Sequence, residues 1–102
     1  MTIIKCLSEL IEEEICDAEK YIDKAMKWKQ DEPDTAELFY QLSLNEMEHM
    51  EKLHQEVTEL IEEYRKEHGD PPKEMMVLYD YLHQKHIGEA TKVKIKQGMF
   101  KA

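Results

Sequence analysis

Three polar residues stand in seams that are otherwise apolar. In the first part of the chain Leu7, Ile11, Ala18 and Ala25 mark one face of an amphipathic helix, and the position between Ile11 and Ala18 is Glu14. Tyr21 follows one heptad later on that face. Further on, Phe39 and Leu42 lead to Glu46, then to His49, Met50 and Leu53. Glu46 and His49 are therefore three residues apart and stacked on one side of their helix. A buried carboxylate without a partner is costly. Two carboxylates and an imidazole on adjacent seams share one explanation, a divalent or trivalent cation. It replaces the hydration both carboxylates lose and accepts the imidazole lone pair. Taken singly, each residue has a plainer reading: a Glu at the stripe edge reaching water or a Lys, or a satisfied core histidine. Taken together, the three point to metal ligation.

The elements that must position them are set by two breaks, Gln30-Asp31-Glu32-Pro33-Asp34 and His68-Gly69-Asp70-Pro71-Pro72. Each supplies an Asp and a Pro where a helix should begin, and Gly69 is placed to end one. Asp34-Thr35-Ala36-Glu37 offers a capping box as an alternative start. Helices are expected at roughly 2–30, 33–68 and 71–97. The first stripe is Ile4, Leu7, Leu10, Ile11, Ile15, Ala18, Ile22, Ala25 and Met26. The second is Phe39, Leu42, Met50, Leu53, Val57, Leu60 and Tyr64, and the third Met75, Met76, Tyr79, Leu82, Ile87, Ala90 and Val93. The expected fold is all-α, a single domain over 1–102 with three helices, consecutive ones antiparallel across short connections. Around the first turn, residues whose numbers sum to about 63 meet at one height, because both helices rise about 1.5 Å per residue. Glu14 matches His49 on this rule and lies within about a turn of Glu46.

The chain has 102 residues, 36% of them charged and 41% hydrophobic, with only 3 Gly and 3 Pro, a composition of long helices rather than a sheet. A core of this size is modest, so association with a second copy would bury more. The net charge of -9 argues against nucleic acid, whose phosphates need a Lys/Arg surface, and favours cations. No apolar run is long enough for a bilayer, so no membrane association is expected and a cytoplasmic location is. Cys6 and Cys16 on one helix would stand about 15 Å apart, too far for a disulfide within the chain, and neither belongs to a C-x-x-C pair.

The segment from Glu14 to Tyr21 resembles the first ligand helix of ferritin-like and rubrerythrin-like proteins, in which a ligand Glu precedes a Tyr by seven residues. Asn45-Glu46-Met47-Glu48-His49 is similar to their E-x-x-H helix. The resemblance spans about the first two-thirds of the chain. It implies a di-iron carboxylate site, built in that family from one Glu on each of two helices and E-x-x-H on two others. This chain carries half of that set. The resemblance therefore implies a ferritin-like half-bundle, similar to the encapsulated ferritins, completed by a homodimer or higher homo-oligomer in which each copy contributes Glu14, Glu46 and His49. The implied chemistry is ferroxidase-type oxidation of Fe(II) by oxygen or peroxide, with manganese or zinc able to substitute for iron. Tyr21 would be a nearby hydrogen-bond or electron donor; a plain core aromatic is its equal alternative. Asp17, Glu48 and Glu51 would form an acidic approach for Fe(II), or simply a solvated helix face.

The third helix departs from the family pattern, with His83, His86 and Glu89 spaced in threes instead of a second E-x-x-H. Around a turn near residue 70, paired numbers sum to about 140, which matches His86 with His54 and Glu89 with Glu51. These residues are expected to be ordinary surface or core groups; the alternatives are second-layer partners of the metal ligands, a separate His54/His86 metal site, or a third-helix ligand completing one metal within the monomer. Three rival functions stand beside the ferroxidase: a rubrerythrin-like peroxidase, for which no rubredoxin-type cysteines are present, a metal binder without turnover, and a metal-free helical interaction protein.

Overall fold

The computed structural model describes residues 2–102 as three α-helices: α1 (Thr2–Trp28), α2 (Pro33–His68) and α3 (Lys73–Lys101). The chain leaves α1 through a turn in which the Glu32 amide donates to the Trp28 carbonyl at 2.9 Å. Pro33 then opens α2 at its first position, where a missing N–H costs nothing, and no side chain caps the helix. The capping box at Asp34 is thus not used. Gly69 ends α2 with a φ of 78°, a left-handed conformation that suits glycine, and its amide donates to the Arg65 carbonyl.

The third helix differs from expectation at both ends. It begins at Lys73 rather than 71 because Pro71 precedes a proline, which disfavours helical backbone, while the Pro72 carbonyl accepts the amides of Met75 and Met76. It then continues beyond 97 to Lys101, through Gly98, because Phe100 is buried against Tyr40, with ring centroids 5.0 Å apart.

The main core joins Ile4, Leu7, Ile11, Ile15 and Ala18 of α1 to Met47, Met50, Val57 and Ile61 of α2, with Ala90 and Val93 of α3 closing one side. A second cluster near the α1–α2 turn holds Ile22, Ala25, Ala36 and Phe100. Leu10 and Met26 sit at the stripe edge and are half-exposed, and Ile87, expected in the third stripe, is 46% exposed. The seam of α3 instead runs through His86, Ala90, Val93, Gln97 and Phe100. Ser43, fully buried, links all three helices: its hydroxyl donates to the Ala18 carbonyl at 2.8 Å and accepts from Gln97 Nε2 at 2.9 Å. Ion pairs tie α3 to α1 at nearly constant offset, Lys85 to Glu12 at 3.5 Å and Lys96 to Asp23 at 2.8 Å, so these two helices run parallel. The assembly is a rod of 56 × 20 × 17 Å. No helix among the described residues is long and apolar enough to cross a membrane.

Candidate metal centre

The antiparallel packing of α1 on α2 puts Glu14, Glu46 and His49 at one level. One ligand atom from each lies within 4.8 Å of the other two, and this is the one such group of three His, Cys, Asp or Glu residues among the described residues. His49 Nδ1 is 3.6 Å from Glu14 Oε2 and 3.8 Å from Glu46 Oε2, too far in both cases for a hydrogen bond. Glu14 Oε2 is buried and has no hydrogen-bond partner. Buried acceptors in that state are rare and costly. The Glu46 carboxyl is held above its ordinary range, first by a hydrogen bond to the Glu14 carboxyl, then by burial and by the charge of Glu14, with His49 opposing. Two ionised carboxylates have no proton to share, so that hydrogen bond exists only while one of them is protonated. A cation can take the place of that proton. The donor set of two carboxylate oxygens and one imidazole fits iron, manganese or zinc, and three donors fall short of the six an octahedral ion takes.

The helix faces that carry the trio also carry apolar side chains toward their ends. On the same face of α1 as Glu14 lie Ile3, Leu10, Tyr21 and Trp28, and of these Ile3, Leu10 and Trp28 are exposed. On α2 the corresponding face carries Leu38, 55% exposed, with Leu42 and Leu53 half-buried beside His49. The Tyr21 ring stacks on Phe39 with centroids 6.5 Å apart, a packing role. Asp17, Glu48 and Glu51 are all exposed, and Glu51 pairs with Lys94 at 3.9 Å.

The other candidates gather elsewhere. His54 Nε2 meets His83 Nδ1 at 3.0 Å with the rings stacked, and Tyr79 also stacks on His83. His86 is buried and its Nε2 lies 2.9 Å from Glu12 Oε2. Glu89 pairs with Lys85 at 3.8 Å. The expected His54/His86 match therefore becomes His54/His83, a shift of about one turn along α3. These histidines border a cavity of about 210 Å³ between α2 and α3, with Met50, Ala90 and Lys94. Burial, followed by the charges of His83 and His86, pushes the His54 pKa down, which favours its neutral form in this contact. Glu12 was not singled out by the sequence; the parallel offset that pairs Glu12 with His86 also pairs it with Lys85, a signal visible only once α1 and α3 are known to be parallel. Cys6 and Cys16 are both free thiols, and burial with the charges of Glu12, Glu89 and Glu19 pushes the Cys16 pKa up.

Compared with known proteins, the chain matches no family model, no curated protein and no solved structure at a significant level.

Proposed function

We propose that the chain is a metal-binding protein of ferritin-like type that holds iron through Glu14, Glu46 and His49. In this reading a second copy, related by a twofold axis, brings the same three residues to complete a two-iron centre that oxidises Fe(II). The observation that carries the reading is the convergence of the three ligand atoms from two helices around an orphaned buried carboxylate oxygen. Two copies supply four carboxylates and two imidazoles, the donor count that a pair of irons requires in a helical bundle. Exposed apolar residues along the helix faces that carry the trio, Ile3, Leu10, Trp28 and Leu38, support a second copy on this side, since exposed apolar surface marks association sites.

Iron bound there would supply the electron transferred to oxygen or peroxide. The chain's own residues prepare the place. Glu46, whose carboxyl is held above its ordinary range, must be ionised to ligate a cation, so uptake is favoured as pH rises through that range. His49 offers Nδ1 toward both carboxylates. Ile11, Ile15, Met47 and Met50 fill the core beside the site and keep the helices in register.

The test is iron content by elemental analysis together with mass by light scattering, then the rate of Fe(II) oxidation against a protein-free control. About two irons per pair of chains, with oxidation lost in His49→Ala, is the expected result. Stoichiometric iron without accelerated oxidation would leave a passive metal binder, and a chain that takes up no iron would leave a metal-free interaction protein.

A further inference from the structure

Three of the five histidines, His54, His83 and His86, border the cavity of about 210 Å³ between α2 and α3. His54 follows His49 by five residues and so lies about 140° around α2 from it, on the side where it meets His83 of α3. His83 and His86 are three residues apart on α3 and line the same space. This cluster is separate from Glu14, Glu46 and His49, and the proposed function gives it no part.

His54 Nε2 and His83 Nδ1 are 3.0 Å apart. Two imidazole nitrogens on adjacent corners of one metal ion, each bound at about 2.0–2.1 Å, stand about 2.9–3.3 Å apart for angles from a right angle to the tetrahedral one. The observed separation lies in that range before any side chain moves. The ring centroids are 4.5 Å apart, so the rings lie side by side. Rings set end to end across a straight N–H···N bond would have centroids about 5 Å apart or more. Side by side is how two ligands sit on one ion. A hydrogen bond between the two nitrogens uses one lone pair, whereas an ion uses both.

The surroundings hold the pair and leave room beside it. Tyr79 stacks on His83 with centroids 5.7 Å apart, which fixes that ring. His86 is engaged through Nε2 by Glu12 at 2.9 Å and stays in the cavity wall. Lys94, which also borders the cavity, is drawn to Glu51 at 3.9 Å. The cavity is large enough for water to take the remaining positions around an ion.

The donor type selects the ion. Imidazole nitrogen suits nickel, copper and zinc, whereas oxygen-rich sets suit harder ions. We infer that His54 and His83 form a second metal site, which binds a late divalent transition ion of the nickel, copper and zinc group through His54 Nε2 and His83 Nδ1, with water from the cavity completing its coordination. The site goes beyond the proposed function and does not depend on it.

The experiment uses the full chain without a histidine tag and Cu(II) as the probe, with pulsed EPR at pH 7.5 counting the imidazoles bound to copper. Two imidazoles per copper are expected in the wild type and also in His49→Ala, which removes the only imidazole of the carboxylate trio. In His54→Gln and in His83→Gln the count is expected to fall below two, with Cu(II) affinity at least tenfold weaker in competition with glycine. His68→Gln, which removes an exposed histidine further along α2, is expected to change neither. A two-imidazole signal that survives in both His54→Gln and His83→Gln, or one lost in His49→Ala, overturns the inference, as does a wild type that binds no copper. Melting temperature gives a second reading: Zn(II) is expected to raise it in the wild type and in His49→Ala but not in folded His54→Gln, and an equal rise in all three counts against the site. Fe(II) uptake by His54→Gln is read separately and is expected to match the wild type, so failure of this site and failure of the carboxylate centre are distinct results.

Discussion

Glu14 Oε2 is buried without a donor, and the neighbouring Glu46 carboxyl holds its proton above the ordinary range. Replacing Glu14 by glutamine supplies an N–H to that pair and removes a charge. Without metal, Glu14→Gln should therefore raise stability by about 1 kcal/mol, measured as the urea midpoint in the presence of a chelator. With Fe(II) added, the wild type should gain stability and the variant should not. His54 gives a second test through pH. Its folded pKa is depressed below 6.5 by burial and by His83 and His86. The unfolded chain then takes up that proton more readily, so stability is fully present above pH 6.5 and is lost as pH falls toward the depressed value. Melting temperatures at pH 7.5 and 5.5 should differ more for the wild type than for His54→Gln. At this scale Glu14, Glu46 and His49 could be seen in the sequence because each interrupts a regular apolar stripe. The Glu12–His86 pair could not, since Glu12 interrupts nothing.

Ser43 sits where three helices meet, and its hydroxyl both donates and accepts in a fully buried place. Ser43→Ala leaves the Gln97 amide without its partner and should cost about 1–3 kcal/mol. A double variant with Gln97→Leu should recover part of that loss, and a double-mutant cycle measures the coupling. Phe100→Ala should cost about 3 kcal/mol although it lies two residues from the end of the described chain, because its ring fills the cluster of Ile22, Ala25 and Ala36. The first two helices were legible almost to the residue: Pro33 and Gly69 act through backbone geometry that no distant contact overrides. The third was less so. It has apolar residues on two opposite faces, so Ile87 and Tyr79 are equally good members of a stripe on paper, and only packing against α1 selects His86, Ala90 and Val93. Ser43–Gln97 and Tyr40–Phe100 keep the α2–α3 register expected from the turn, and His54 meets His83 instead of His86 because His86 is turned toward α1, where it pairs with Glu12.

The molecule is a thin rod with a radius of gyration of 16.4 Å, against about 13 Å for a compact domain of this length. A rod has a high share of surface, and this one leaves Ile3, Leu38, Tyr81 and Ile95 among its exposed apolar side chains. Under the proposed association through the face of α1 and α2, the melting temperature should rise with protein concentration, and should stop doing so in Leu38→Glu. The height rule that aligned Glu14 with Glu46 and His49 held because α1 and α2 are joined by a four-residue connection between helices of equal rise. What lies beyond one chain has no such rule in the sequence. That short connection has a further consequence, for the order of folding. Contacts between α1 and α2 close a small loop and carry the whole trio, whereas α3 must reach back to α1 from about 73 residues away, as Lys85 does to Glu12. The helical hairpin is thus the natural nucleus. Ile15→Val should slow refolding while Val93→Ala mainly speeds unfolding, so the chain forms its carboxylate–histidine cluster before α3 docks onto the pair.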